Sequence, residues 1–118
     1  MEPRDLLLDH AVALSVFERL LARLAELGPF EVRTSKSQIA FWRAHGFAYL
    51  WLPGQYLANP QAEVVLSIAL GREHESPRFK EVSHPAERHW MHHLELHHPD
   101  EIDDEVMHWL REAIEHAS

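Results

Sequence analysis

The 118-residue sequence predicts a two-layer α+β domain: an N-terminal helix, an antiparallel sheet of about five strands and a C-terminal helix, with both helices on one sheet face. Two observations carry this. Amphipathic segments with three- and four-residue apolar spacing stand at both ends of the chain, and the stretch between them alternates with a period of two. The length suits a single domain, residues 1–118, with a core that needs no staples.

The first eight residues read as an N-terminal arm. Residues 9–27 read as a helix, because Ala13, Val16, Phe17, Leu20, Leu21, Leu24 and Leu27 share a face while Glu18, Arg19, Arg23 and Glu26 fill much of the other. Asp9 is the expected N-cap, and Gly28-Pro29 ends the helix, since glycine accepts a left-handed cap and proline cannot continue it. Strands follow at Phe30 to Thr34, Gln38 to Trp42, Phe47 to Leu52 and Glu63 to Leu70, separated by Ser35-Lys36-Ser37, Ala44-His45-Gly46 and Pro53-Gly54. Gly71 to Arg88 is charged and broken by Pro77 and Pro85, so it reads as one long loop; loops of that length are often functional. The fifth strand is the histidine run from His89 to His98. Asp100 then caps a closing helix whose stripe is Ile102, Val106, Trp109, Leu110, Ala113 and Ile114.

Alternation divides the strands into two faces. Ile39, Phe41, Val64, Leu66, Ile68, Trp90, Leu94 and Leu96 belong to the core face, with His92 among them. Ala40, Trp42, Val65, Ser67, Ala69, Met91 and His93 fall on the other, which is too apolar for plain solvent surface and reads as a dimer interface or the floor of a cleft.

Composition narrows the functions. Nineteen acidic residues against eleven basic ones give a net charge of −8, which disfavours attraction to a nucleic-acid backbone. Protonating all eleven histidines would turn −8 into +3, so surface charge should depend strongly on pH near ~6.5. The chain has no cysteine, which removes disulfides, thiolate catalysis and cysteine zinc sites. Its opening residues lack a basic start, and no apolar run suffices for a signal peptide or a membrane span, so a soluble cytoplasmic protein is expected. Four glycines form no phosphate loop or dinucleotide fingerprint, and no serine sits in a nucleophile elbow.

Leu27-Gly28-Pro29, Lys36-Ser37-Gln38-Ile39-Ala40-Phe41, Pro77-Arg78-Phe79, His92-His93 and Ile102-Asp103 through Trp109-Leu110-Arg111-Glu112-Ala113 occur in an order and spacing that resembles a bacterial family known only as a domain of unknown function. The likeness runs from about Phe17 to Ile114. It implies a small α+β domain with no established activity.

Three groups of residues could carry chemistry. On a strand, His93, Glu95 and His97 share one side with neighbouring Cα atoms about 6.5 to 7 Å apart, a spacing at which imidazoles and a carboxylate can approach one divalent transition metal. Because the full set is stretched, His45 or His74 could complete a pair; a helical run would instead stack His89, His93 and His97. His92, on the apolar face, is either a buried histidine satisfied by a backbone carbonyl or carboxylate, or a general base lining a cleft. Lys36, Arg72 and Arg78 are either solvated loop charges or an anion site gathered at one sheet edge. Trp42, Tyr49, Trp51 and Trp90 could stack on a ligand ring.

No catalytic constellation stands out. The sequence therefore favours a non-catalytic ligand-binding or protein-interaction module that uses the second sheet face and the 71–88 loop. Its expected partners are a small anionic ligand or a protein, a second copy of the chain included, with neither nucleic acid nor membrane. The alternative is a small metal-assisted or acid-base enzyme built on the histidine strand.

Overall fold

A computed structural model describes all 118 residues. Its elements are α1 (Pro3–Leu6), α2 (Ala11–Leu24), β1 (Glu31–Thr34), β2 (Gln38–Trp42), β3 (Gly46–Trp51), β4 (Val64–Leu70), β5 (Glu81–Ala86), β6 (His89–Leu96) and α3 (Asp104–Ala117). The strands form one antiparallel sheet in the order β1-β2-β3-β4-β6-β5. None of the helices is long and apolar enough to cross a membrane.

The expected two-layer α+β architecture is present, with six strands instead of five. The additional strand, β5, lies inside the segment read as a loop. It is largely exposed and contains Pro85, so it carries no apolar alternation. Proline is tolerated there because β5 is an edge strand, hydrogen-bonded only to β6.

Both main helices press on the face formed by Ile39, Phe41, Leu50, Val64, Leu66, Ile68, Leu70, Leu94 and Leu96, all buried in one core cluster. An irregularity in the β2–β3 pairing at Phe41/Trp42 brings Phe47 in as well. Phe41 lies 6.3 Å from Phe17 of α2 and 6.5 Å from Phe47, joining helix to sheet through aromatic contacts. The expected N-terminal arm includes α1 and buries Leu6 and Leu7 in the same core.

The helix boundaries differ from the sequence reading for definite reasons. Asp9 takes a left-handed φ of 67° and is not the cap of α2; His10 occupies that position without a side-chain bond. The carboxylate that satisfies the helix start is Glu63, whose Oε2 accepts the Ala13 N–H at 2.8 Å from fifty positions away. The 14-residue α2 gives way at Ala25–Leu27 to a 3₁₀ turn. Likewise Asp100 sits in a 3₁₀ turn, Pro99–Glu101, because the chain breaks at Ile102 to bury that side chain. Asp103 caps α3, its Oδ1 accepting from the Val106 N–H at 3.1 Å.

Residues 71–80 are pinned to the helix layer. Arg72 makes a two-pronged contact with Glu112 at 2.9 and 3.0 Å, and Arg78 reaches Asp103, Glu105 and the Glu101 carbonyl at 2.8 to 3.1 Å. Phe79 rests on Trp109, with ring centres 4.5 Å apart.

Candidate functional site

The face of the sheet away from the helices carries a row of side chains fixed by register: Tyr49 pairs with Ser67, Ser67 with His93, and His93 with Glu81. Beside this row, Trp51, Val65 and Glu95 are cross-strand neighbours, as are Ala69, Met91 and Ser83. Small residues at the centre and aromatic ones around them leave a concavity. Ser67 and Ala69 are almost fully buried at its floor, while Trp42, Tyr49, Trp51 and Met91 are only partly covered.

The resulting cleft encloses about 950 Å³ and is completed by Tyr56 and Leu57 after β3, by Ser37 and Gln38 at the start of β2, and by Pro85 and Ala86 at the β5 tip. Tyr56 and Leu57 are well exposed at the rim. No Asp, Glu, Lys or Arg lines the cleft, although the chain carries thirty such residues. Its titratable lining is limited to Tyr49, Tyr56 and the histidines His45, His89 and His93.

A hydrogen-bonded chain crosses the floor. Trp51 Nε1–H donates to Ser67 Oγ at 2.8 Å, and Ser67 Oγ lies 2.7 Å from His93 Nδ1. The other nitrogen of His93 is 3.1 Å from Ser83 Oγ. Because Ser67 already accepts from the indole and is buried, its own proton goes to Nδ1, which leaves the proton of neutral His93 on Nε2, donated to Ser83. Burial pushes the His93 pKa below the ordinary value, against a smaller opposing pull from Glu81. Ser67 is thus a positioner of the imidazole, held from both sides, and not a free nucleophile.

Tyr49 is different. Its hydroxyl finds no hydrogen-bond partner in the protein, and burial raises its pKa. The ring packs against Gly46, where a Cβ would come within 2.2 Å of the hydroxyl oxygen. Only glycine permits this placement of the phenol.

Of the residues singled out from the sequence, Trp42, Tyr49, Trp51, His45, His89 and His93 line this cleft. Trp42 also carries the Arg33 guanidinium 3.8 Å above its ring. Glu95 is on the same face. His97 is not, because β6 ends at Leu96 and His97 is exposed beyond it, its N–H accepted by Glu101. His93 has both nitrogens engaged, and no group of three or more His, Cys, Asp or Glu side chains converges for a metal ion, so the His93, Glu95, His97 triad is not assembled. The strand conformation likewise removes the helical stack of His89, His93 and His97.

His92 takes the structural role. It is fully buried, its Nδ1–H donates to the Trp90 carbonyl at 3.0 Å, and its Nε2 accepts the His74 N–H at 2.9 Å. Burial lowers its pKa, with the Trp90 bond in opposition. The three basic residues do not meet. Register places Lys36 beside the Val65 end of β4, whereas Arg72 follows Leu70 at the opposite end, and Arg72 and Arg78 are occupied by carboxylates of α3 and its cap. Of the 71–88 segment, only Pro85 and Ala86 reach the cleft.

Sequence reasoning left the hydroxyls of Ser67 and Ser83 without a role. A signal for the first existed: Ser67 is the one polar residue in the seven-residue strand β4.

A six-stranded antiparallel sheet, helix-covered on one side and hollowed by an uncharged aromatic cleft on the other, defines a small α+β domain. The chain belongs to the family described as Domain of unknown function (DUF5655), which matches residues 4–117. No curated protein and no solved structure matches it.

Proposed function

We propose that the protein binds a small, neutral, largely aromatic molecule in the cleft on the open sheet face. The observation that carries this reading is the lining: Trp42, Tyr49, Trp51, Met91 and Ala69 with no fixed charge, and the phenol hydroxyl of Tyr49, which has no partner within the protein. Pockets for small ligands combine an apolar wall with a few oriented polar groups, at volumes of roughly 300 to 1,000 Å³. In a chain of net charge −8, a cleft without lysine or arginine favours a neutral ligand over the anionic one expected from Lys36, Arg72 and Arg78. The Tyr49 hydroxyl supplies the directional contact. The Trp51-Ser67-His93 chain satisfies the polar groups of the floor among themselves, which limits the desolvation cost of binding.

The probe pair 2-naphthol and 2-naphthoate tests this by calorimetry and by the indole N–H signals in a ¹H–¹⁵N spectrum. The neutral probe should shift Trp42 and Trp51 saturably, with affinity reduced about tenfold or more in Gly46→Ala, where the added methyl displaces the phenol. The anionic probe should bind at least about tenfold less tightly. Shifts confined to residues outside the cleft, or equal affinity for both probes, would refute the reading. So would sedimentation showing that a second copy covers this face at the working concentration.

A further inference from the structure

His89 is the first residue of β6 and lines the mouth of the cleft; His116 is in the last turn of α3. We infer that this pair is a binding site for a divalent transition metal of the zinc type, bridging the sheet to the helix layer. The inference is independent of the cleft-ligand reading.

The geometry is that of two ligands to one tetrahedral ion. His89 Nδ1 and His116 Nε2 are 3.4 Å apart, and the ring centres are 5.2 Å apart with the planes inclined at 66°. Two imidazole nitrogens each ~2.0–2.1 Å from a tetrahedral zinc lie ~3.3–3.4 Å from one another, with ring centres ~5.2 Å apart. As a direct hydrogen bond the contact is long, against a usual ~2.7–3.2 Å, and a head-on approach at the observed separation would put the centres ~5.7 Å apart. The rings are thus closer than a head-on pair, as they are when both axes converge on a point beside the line between the nitrogens.

The position of the His116 ring is prepared by a second residue. A Cβ on Gly71 would lie 2.8 Å from His116 Nδ1 and 3.0 Å from Cε1, so the ring occupies space that a side chain at position 71 would take. The C-terminal end of the 14-residue α3 adds a negative field that favours a cation. His45, whose Nδ1 bonds to the Ala117 carbonyl at 2.9 Å, stands at the same helix end but does not converge with the pair. The remaining coordination positions therefore fall to water, which makes this an exchangeable site of borderline-metal type and not a closed structural one.

The test is a titration of tag-free full-length protein with zinc chloride alone, read by calorimetry, by thermal midpoint and by histidine imidazole ¹H–¹⁵N signals. One equivalent should bind, the His89 and His116 signals should respond first, and the thermal midpoint should rise because the ion ties β6 to α3. His89→Ala and His116→Gln should each weaken binding about tenfold or more, Gly71→Ala should do the same by displacing the ring, and His97→Ala should change nothing. The wild-type imidazole spectrum decides the matter even if a variant is unstable. Absence of uptake, first response from His97 or His98, or undiminished binding in His89→Ala would overturn the inference.

Discussion

His92 and His93 are consecutive residues of β6, so the pleat sends them to opposite faces, and their partners differ in kind. His92 is held by two backbone groups, the Trp90 carbonyl and the His74 N–H. His93 is held by two hydroxyls, Ser67 and Ser83, which can rotate. Backbone partners cannot leave without opening the structure, whereas hydroxyl partners can exchange with a ligand or water. The same side chain is therefore a rivet on one face and an adaptable floor group on the other.

The comparison is broken most directly by removing each imidazole. His92→Ala leaves a cavity and an unsatisfied amide and carbonyl in the core, and should cost about 3 kcal/mol in urea unfolding. His93→Ala should cost about 1 kcal/mol, since His93 is only partly buried, lines the open cleft, and leaves Ser67 still bonded to the Trp51 indole. Equal losses would show that the two faces are energetically alike.

Acidification sharpens the contrast. Both histidines have folded pKa values below the ordinary 6.5, for each chiefly through burial. Below the unfolded pKa the denatured chain binds protons that the folded state refuses, so stability from these groups is full above about pH 6.5 and is lost as pH falls toward the folded values. The urea midpoint should fall between pH 7.5 and 5.5, at up to about 1.4 kcal/mol per pH unit for each histidine. His92→Gln should flatten the profile more than His93→Gln. A wild-type midpoint that rises on acidification would show that burial of these two histidines does not govern the response.

The smallest effect tests the support of the rivet. Arg78→Gln removes the links from residues 71–80 to Asp103 and Glu105, at about 1 kcal/mol for a partly exposed pair. Hydrogen exchange at the His74 amide, which His92 accepts, should accelerate while amides of β3 and β4 at the cleft floor keep their protection. Uniform acceleration would place Arg78 in global stability and not in local anchoring. Asp103 should report the same loss: burial pushes its pKa up, but the Val106 N–H and Arg78 outweigh this and hold it below the ordinary value. In Arg78→Gln that depression should shrink.

Much of this arrangement is legible in the residue pattern. A period of two placed His92 among Trp90, Leu94 and Leu96 and placed Trp42, Ser67 and His93 on a second apolar face, because strand alternation is a local property. The ends of the helices were not legible. Glu63 caps α2 across fifty positions, and Ile102 interrupts the closing helix to reach the core. Strand β5 escaped because an exposed edge strand needs no apolar pattern, only the free hydrogen-bonding edge of β6.

By itself, then, the order of residues determined the two-layer class, the core face and the presence of a second apolar face, since each follows from periodicities that a chain carries locally. Tertiary structure alone decided what that face contains. Arg72 and Arg78 were withdrawn to α3, His97 was left beyond the end of β6, and His89 was brought to His116 from 27 positions away. These are contacts between distant segments, and their geometry is set by how the layers pack.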